Sequence, residues 1–134
     1  DAGVLSYAMH GCAQILGARA VPDLLEVLHR NQRRPDGLQE GVLTETVKLL
    51  GRIGSQEAQP ALVRELGRVT SEKGVSLEYG STLVVALQQL RDPQARGAVE
   101  EYAATLAQRV PADPKLKKYW EDKVAEAQKA AASL

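Results

Sequence analysis

The sequence predicts an all-α fold: an α-solenoid superhelix in which three antiparallel helix pairs stack and a C-terminal capping helix closes one end. Three observations predict it. A turn pattern recurs every 37 residues. Apolar residues with 3-and-4 spacing run before and after each copy. The C-terminal stretch breaks the pattern with a helix that carries its own start signal.

The bulk numbers agree. A chain of 134 residues is one ordinary domain, large enough to bury a core without disulfide or metal staples. With 44% apolar and 25% charged residues it is neither disordered nor membrane-spanning. Its apolar runs, such as Leu83 to Leu87, are far too short to cross a bilayer, so no membrane insertion is expected. There is no Phe, and only Tyr7, Tyr79, Tyr102, Tyr119 and Trp120 are aromatic. A core of Leu, Val and Ala suits close helix packing better than a β-sandwich, which draws on aromatic and β-branched residues. Lys plus Arg equals Asp plus Glu, 17 against 17. That balance argues against a general nucleic-acid binder, which needs excess cations facing phosphate. The lone Cys12 cannot form an internal disulfide. A cytoplasmic location is expected, and a periplasmic one if a signal segment precedes Asp1.

The units fall at about residues 3–31, 37–70 and 76–109, with the capping helix at 113–132. Leu16, Ile53 and Leu90 anchor them, each 37 residues from the next. Counting back four gives Cys12, Leu49 and Ala86. Three back gives Ala13, Leu50 and Leu87. Six back gives His10, Val47 and Val84, and seven back gives Met9, Thr46 and Leu83. One stripe therefore runs down the first helix of every unit. Leu24/Leu28, Leu62/Leu66 and Val99/Ala103 fill equivalent slots on the second helices. Such pairs cannot bury both faces alone, and stacking neighbours does that.

Punctuation marks the helix ends. Asp36 with Gln39 reads as a capping box before Leu38 to Arg52. Gly17 and Gly54 stand where a first helix should stop in a left-handed conformation. Pro22 and Pro60 suit the first turn of a second helix, where a missing N–H is harmless. Asp92-Pro93 does this one step earlier in the third unit. Asn31 to Gly37 and Thr70 to Val75 are polar linkers. In the tail, Asp113-Pro114 reads as N-cap and first helical residue. Leu116, Tyr119, Trp120, Val124, Ala127 and Ala131 then form a stripe, with Lys117/Glu121 and Lys118/Asp122 spaced to support the helix.

The run Leu-Gly-x-Arg-Ala-Val-Pro-x-Leu-Leu from Leu16 resembles HEAT repeats related to bacterial bilin-lyase-type proteins. Leu50-Gly51-Arg52-Ile53-Gly54-Ser55 through Pro60-Ala61-Leu62 resembles them too. The third copy departs, with Arg91 for the turn glycine and Gly97 for the proline, although Asp92-Pro93-Gln94-Ala95 is similar to the usual Asp-Pro-x-Ala turn. The resemblance covers about residues 4 to 108. It implies a protein–protein interaction or scaffold module using the surface lined by the second helices, and it is nearly silent on anything finer.

Relatives with catalytic chemistry set the comparison for each candidate residue. HEAT-repeat iron hydroxylases use repeated His-Glu dipeptides, but here His10 precedes Gly11 and His29 precedes Arg30. His10 and Cys12 align with packed positions, and a buried thiol behaves as a small hydrophobe. His29 ends a second helix, where the dipole favours a cation. No nucleophile elbow, phosphate loop or zinc spacing is present. Helical-repeat DNA glycosylases need a cationic concave face, which a neutral chain does not supply. The expectation is therefore a protein that is not an enzyme and has no cofactor or metal, binding another protein through Glu26, Arg30, Arg64, Arg68, Glu101 and Tyr102. The rows predicted to face away from the stripe are Glu26/Arg64/Glu101, Val27/Glu65/Tyr102 and Arg30/Arg68/Thr105. Arg and Tyr commonly anchor interfaces. Arg33-Arg34 is a further basic spot, expected to be a solvated loop. The alternatives are a small-ligand-binding enzyme of bilin-lyase type, marked by a groove with convergent polar groups, and a structural segment of a longer solenoid.

Overall fold

A computed structural model of the chain describes residues 17–31, 37–72 and 77–134. Met9, His10, Cys12, Ala13, Leu16, Arg33-Arg34 and the Asp36 capping box lie outside the described residues, as does the first helix expected for unit one. The described elements are α1 (Val21–Asn31), α2 (Gly37–Ile53), α3 (Gln59–Ser71), α4 (Leu77–Leu90), α5 (Arg96–Gln108) and α6 (Pro114–Ser133). Short 3-10 turns at Gly17–Ala20, Gln56–Ala58 and Pro93–Ala95 lead into α1, α3 and α5. Among the described residues there is no strand, and no helix is long and apolar enough to cross a membrane.

The turns repeat in atomic detail. Gly17, Gly54 and Arg91 have φ of 53°, 71° and 55°, the left-handed conformation that ends a helix. Gly54 N donates to Leu50 O at 3.2 Å, and Arg91 N donates to Leu87 O at the same distance. After Gly54 and Arg91 the next residue caps the 3-10 turn: Ser55 Oγ accepts from Glu57 N at 3.4 Å, and Asp92 Oδ1 accepts from Gln94 N at 2.9 Å. Pro22 and Pro60 are the second residues of α1 and α3, where no helical partner is lost. Asp113 accepts from Lys115 N at 2.9 Å, so it is the N-cap of α6, with Pro114 first in the helix.

The aligned positions form the core. On α2 and α4, Thr46, Val47, Leu49 and Leu50 and their counterparts Leu83, Val84, Ala86 and Leu87 are buried. So are Leu24, Leu28, Leu62, Leu66, Val99 and Ala103 on α1, α3 and α5. Each buried Leu or Val contributes roughly 1.5–3 kcal/mol. Buried Thr46 meets its polar need by donating to Val42 O at 2.7 Å.

Helix neighbours follow one rule. The first helices α2 and α4 pack side by side, as do the second helices α3 and α5. Each second helix also packs on the first helix of the next unit: α1 on α2, and α3 on α4. The closing helix α6 obeys the same rule, packing on α5 and on α4. Its Trp120, Val124 and Ala127 fall 37 residues after Leu83, Leu87 and Leu90 of α4.

The α6 stripe differs from expectation. Val124, Ala127, Ala130 and Ala131 are buried and Trp120 is partly buried, but Leu116 and Tyr119 are 48% and 40% exposed. The small alanines bring the C-terminal half of α6 close to its neighbours. Tyr119 instead points outward and gives its hydroxyl proton to Glu78. Lys117 and Glu121 form the expected i,i+4 pair at 3.9 Å.

Candidate functional site

The three rows of side chains expected to face away from the core differ in their exposure. Glu26, Arg64 and Glu101 are all exposed. Arg30 is also exposed, and its Nε donates to Glu26 Oε1 at 2.8 Å across one helical turn. The row Val27, Glu65 and Tyr102 does not face solvent. Glu65 is 1% exposed and Tyr102 3%. The reason is the packing rule above: a second helix is covered on two flanks, by its own core and by the first helix of the next unit. Glu65 lies on that second flank, against Tyr79 of α4, whereas Tyr102 reaches Gly80 of α4, the first helix of its own unit.

Arg68 is a correction of the same kind. It is half-buried, and its Nε lies 3.1 Å from both carboxylate oxygens of Glu65. Its Nη2 also bonds Glu65, and its Nη1 reaches Glu72 at 2.8 Å. On the other side Glu65 accepts from Tyr79 Oη at 2.8 Å. Burial pushes the Tyr79 phenol well above its ordinary range, and the adjacent Glu65 charge pushes it further. The Glu65 hydrogen bond likewise holds the Arg68 proton more firmly. Arg109 donates to Thr70 O at 3.0 Å and Glu72 O at 3.4 Å, at the end of the same helix. This network fastens α3 to α4, so Arg68 serves the fold.

What remains on the second-helix side is a groove between α1 and α3. It has a volume of 330 Å³ and is lined by Leu25, Leu28, Ala61, His29 and Arg64. Among the described residues neither Arg64 nor His29 makes an ion pair. The groove therefore has an apolar floor and two nitrogen-rich side chains at its edge. His29 comes from the last turn of α1, and Arg64 from one turn into α3.

The first-helix side carries two further depressions. One, of 240 Å³, lies between α2 and α4 beside Lys48, Arg52, Glu78 and Gln89. The other, of 330 Å³, lies between α4 and α6, with Tyr102 among its walls. Val85 lines both and is 48% exposed. Sequence reasoning assigned Val85 no role. The available signal was the uninterrupted run Leu83 to Leu87, which is wider than one buried stripe requires. Tyr102 was singled out as an exposed anchor, whereas it reaches inward from α5 to Gly80 on α4, where an added Cβ would stand 2.6 Å from Tyr102 Cζ. Burial and the neighbouring Tyr119 push the Tyr102 phenol up to about 12.

Among the described residues no group of three or more His, Cys, Asp or Glu side chains could hold a metal ion. No protein-family model matches the sequence, and neither a curated protein nor a solved structure matches it.

Proposed function

We propose that the chain is a non-catalytic α-solenoid module of HEAT type that binds another protein along the surface of its second helices. The 37-residue recurrence of left-handed turn residues at Gly17, Gly54 and Arg91 supports the repeat reading. The observation that carries the binding reading is the α1/α3 groove, where Leu25, Leu28 and Ala61 are edged by His29 and by an Arg64 that forms no ion pair among the described residues. Apolar floor beside an uncommitted guanidinium is the composition of an interface hot spot. The exposed Glu26–Arg30 pair adjoins it on α1 and Glu101 extends the same side on α5.

The test is affinity capture from the native organism read by mass spectrometry, followed by capture with Arg64→Glu and Ala61→Glu variants. Both substitutions replace side chains that line the groove. Loss of the same partner with unchanged helicity supports the reading. Retention of that partner by both variants removes the α1/α3 groove as the binding face.

A further inference from the structure

We propose that the cavity between α4 and α6 is a binding site for a small, neutral, apolar molecule that carries one hydrogen-bond acceptor. The cavity holds 330 Å³, at the small end of the range for ligand sites. Val84 and Val85 from α4 and Ala127 from α6 supply apolar wall. Tyr102 lines the same cavity from α5 and is 3% exposed. Among the described residues its hydroxyl makes no hydrogen bond, although a buried donor left unmade is unfavourable. An acceptor brought into the cavity would meet that donor. Gly80 is what lets the ring reach this place, because any Cβ there would collide with the hydroxyl end of Tyr102.

The charges around the cavity argue for a neutral ligand. Lys123 is 3.5 Å from Glu126 and 4.0 Å from Glu78, and it stands 5.5 Å from the centre of the Tyr119 ring. Its ammonium is thus balanced already, and a ligand carboxylate placed there would face two carboxylates. At the far end Gln88 Nε2 donates to Ser133 Oγ at 3.4 Å, so those polar groups satisfy each other. Lys129 is exposed on the rim, where water screens it. The phenol is the buried group that remains to be matched. This site lies on the first helices and α6, apart from the α1/α3 groove, and stands or falls independently of partner binding.

The experiment titrates the ¹⁵N-labelled chain with acetophenone, with α-methylstyrene as its isostere lacking the carbonyl oxygen, and with benzoate as its anionic counterpart. Amide shifts at Val84, Val85 and Ala127 are followed. Acetophenone should give saturable shifts there and bind about fivefold or more tighter than either companion, the worth of one neutral hydrogen bond. In Tyr102→Phe, which removes no hydrogen bond of the described fold, acetophenone should weaken to the level of α-methylstyrene while the melting temperature is unchanged or higher. Val85→Trp, at an exposed wall position, should abolish the shifts. Absence of saturable shifts overturns the proposal. So does a preference for acetophenone that survives in Tyr102→Phe, or benzoate binding as tightly as acetophenone.

Discussion

Tyr79 on α4 donates its phenolic proton to the carboxylate of Glu65 on α3 at 2.8 Å, with both side chains buried. Arg68, one turn along α3, completes the neutralisation of Glu65 from the solvent side. The contact ties a second helix to the first helix of the following unit, fourteen residues on. Buried ion pairs of this kind are weak sources of net stability, yet costly to break on one side only.

Glu65→Ala should therefore lower unfolding stability by about 3–5 kcal/mol, since it removes the buried carboxylate that accepts from Tyr79 and pairs with Arg68. Tyr79→Phe, which leaves the Glu65–Arg68 pair in place, should cost only about 1.5–3 kcal/mol. Urea denaturation of both variants and of the double variant measures the coupling. Additive losses would mean that the hydrogen bond contributes nothing.

Stability should decline in alkali. The Tyr102 phenol is pushed up to about 12, and Tyr79 is raised as well, both by burial first. An unfolded phenol titrates near ~10. A raised folded value means that the folded state holds its proton longer. The associated stability is intact below pH ~10 and is lost as the pH rises through ~10 toward 12 and beyond, by up to about 1.4 kcal/mol per pH unit for each phenol. Tyr119 is also raised, chiefly by its hydrogen bond to Glu78, but it is exposed and should add little. Denaturation at pH 9, 10 and 11 reads the slope, and ultraviolet absorbance reads phenolate. Constant stability across that range would contradict the burial of these rings.

Arg91 occupies a left-handed turn position that Gly17 and Gly54 fill elsewhere, with φ of 55°. An L-residue there costs about 1–2 kcal/mol, against about 0.5–1 kcal/mol of chain entropy that glycine would add to the unfolded state. Arg91→Gly should thus stabilise by up to about 1 kcal/mol. Gly54→Arg should destabilise by a similar amount, and no atom lies within 4 Å of the added Cβ to complicate the result. Thermal melts of the two variants should move in opposite directions.

Gly80→Ala should be destabilising by about 1–3 kcal/mol, the usual range for overpacking, because the new methyl would press on the Tyr102 ring. The penalty should shrink in a Tyr102→Leu background, where no ring reaches α4. An undiminished penalty in that background would place the strain elsewhere. Gly51→Ala provides a comparison, since its Cβ would lie 3.0 Å from Ala86 Cα, where backbone has no rotamer to yield. Its penalty should survive the Tyr102→Leu change.

Residues whose environment is set within one unit were legible from the sequence. The 3.6-residue period places Leu49, Leu50, Leu62 and Leu66 on the apolar faces of their helices, and they are buried. The 37-residue spacing picks out Gly17, Gly54 and the deviant Arg91 as one kind of turn, because backbone conformation there is a local matter. Pro22, Pro60 and the Asp113-Pro114 start of α6 were readable for the same reason.

Only the tertiary structure decided what covers the flank of each second helix. Glu65 and Tyr102 occupy equivalent positions on α3 and α5, 37 residues apart, and both are buried although their row was expected to face away from the stripe. Glu65 looks like a solvated carboxylate until α4 brings Tyr79 to it. The C-terminal helix was legible, but not that its alanines rather than Leu116 and Tyr119 would make the contact, nor that it would border a cavity with α4. Periodicity assigns a side chain to a face of its own helix. Whether that face meets water depends on a neighbour tens of residues away, and on side-chain sizes at a contact that no single helix contains.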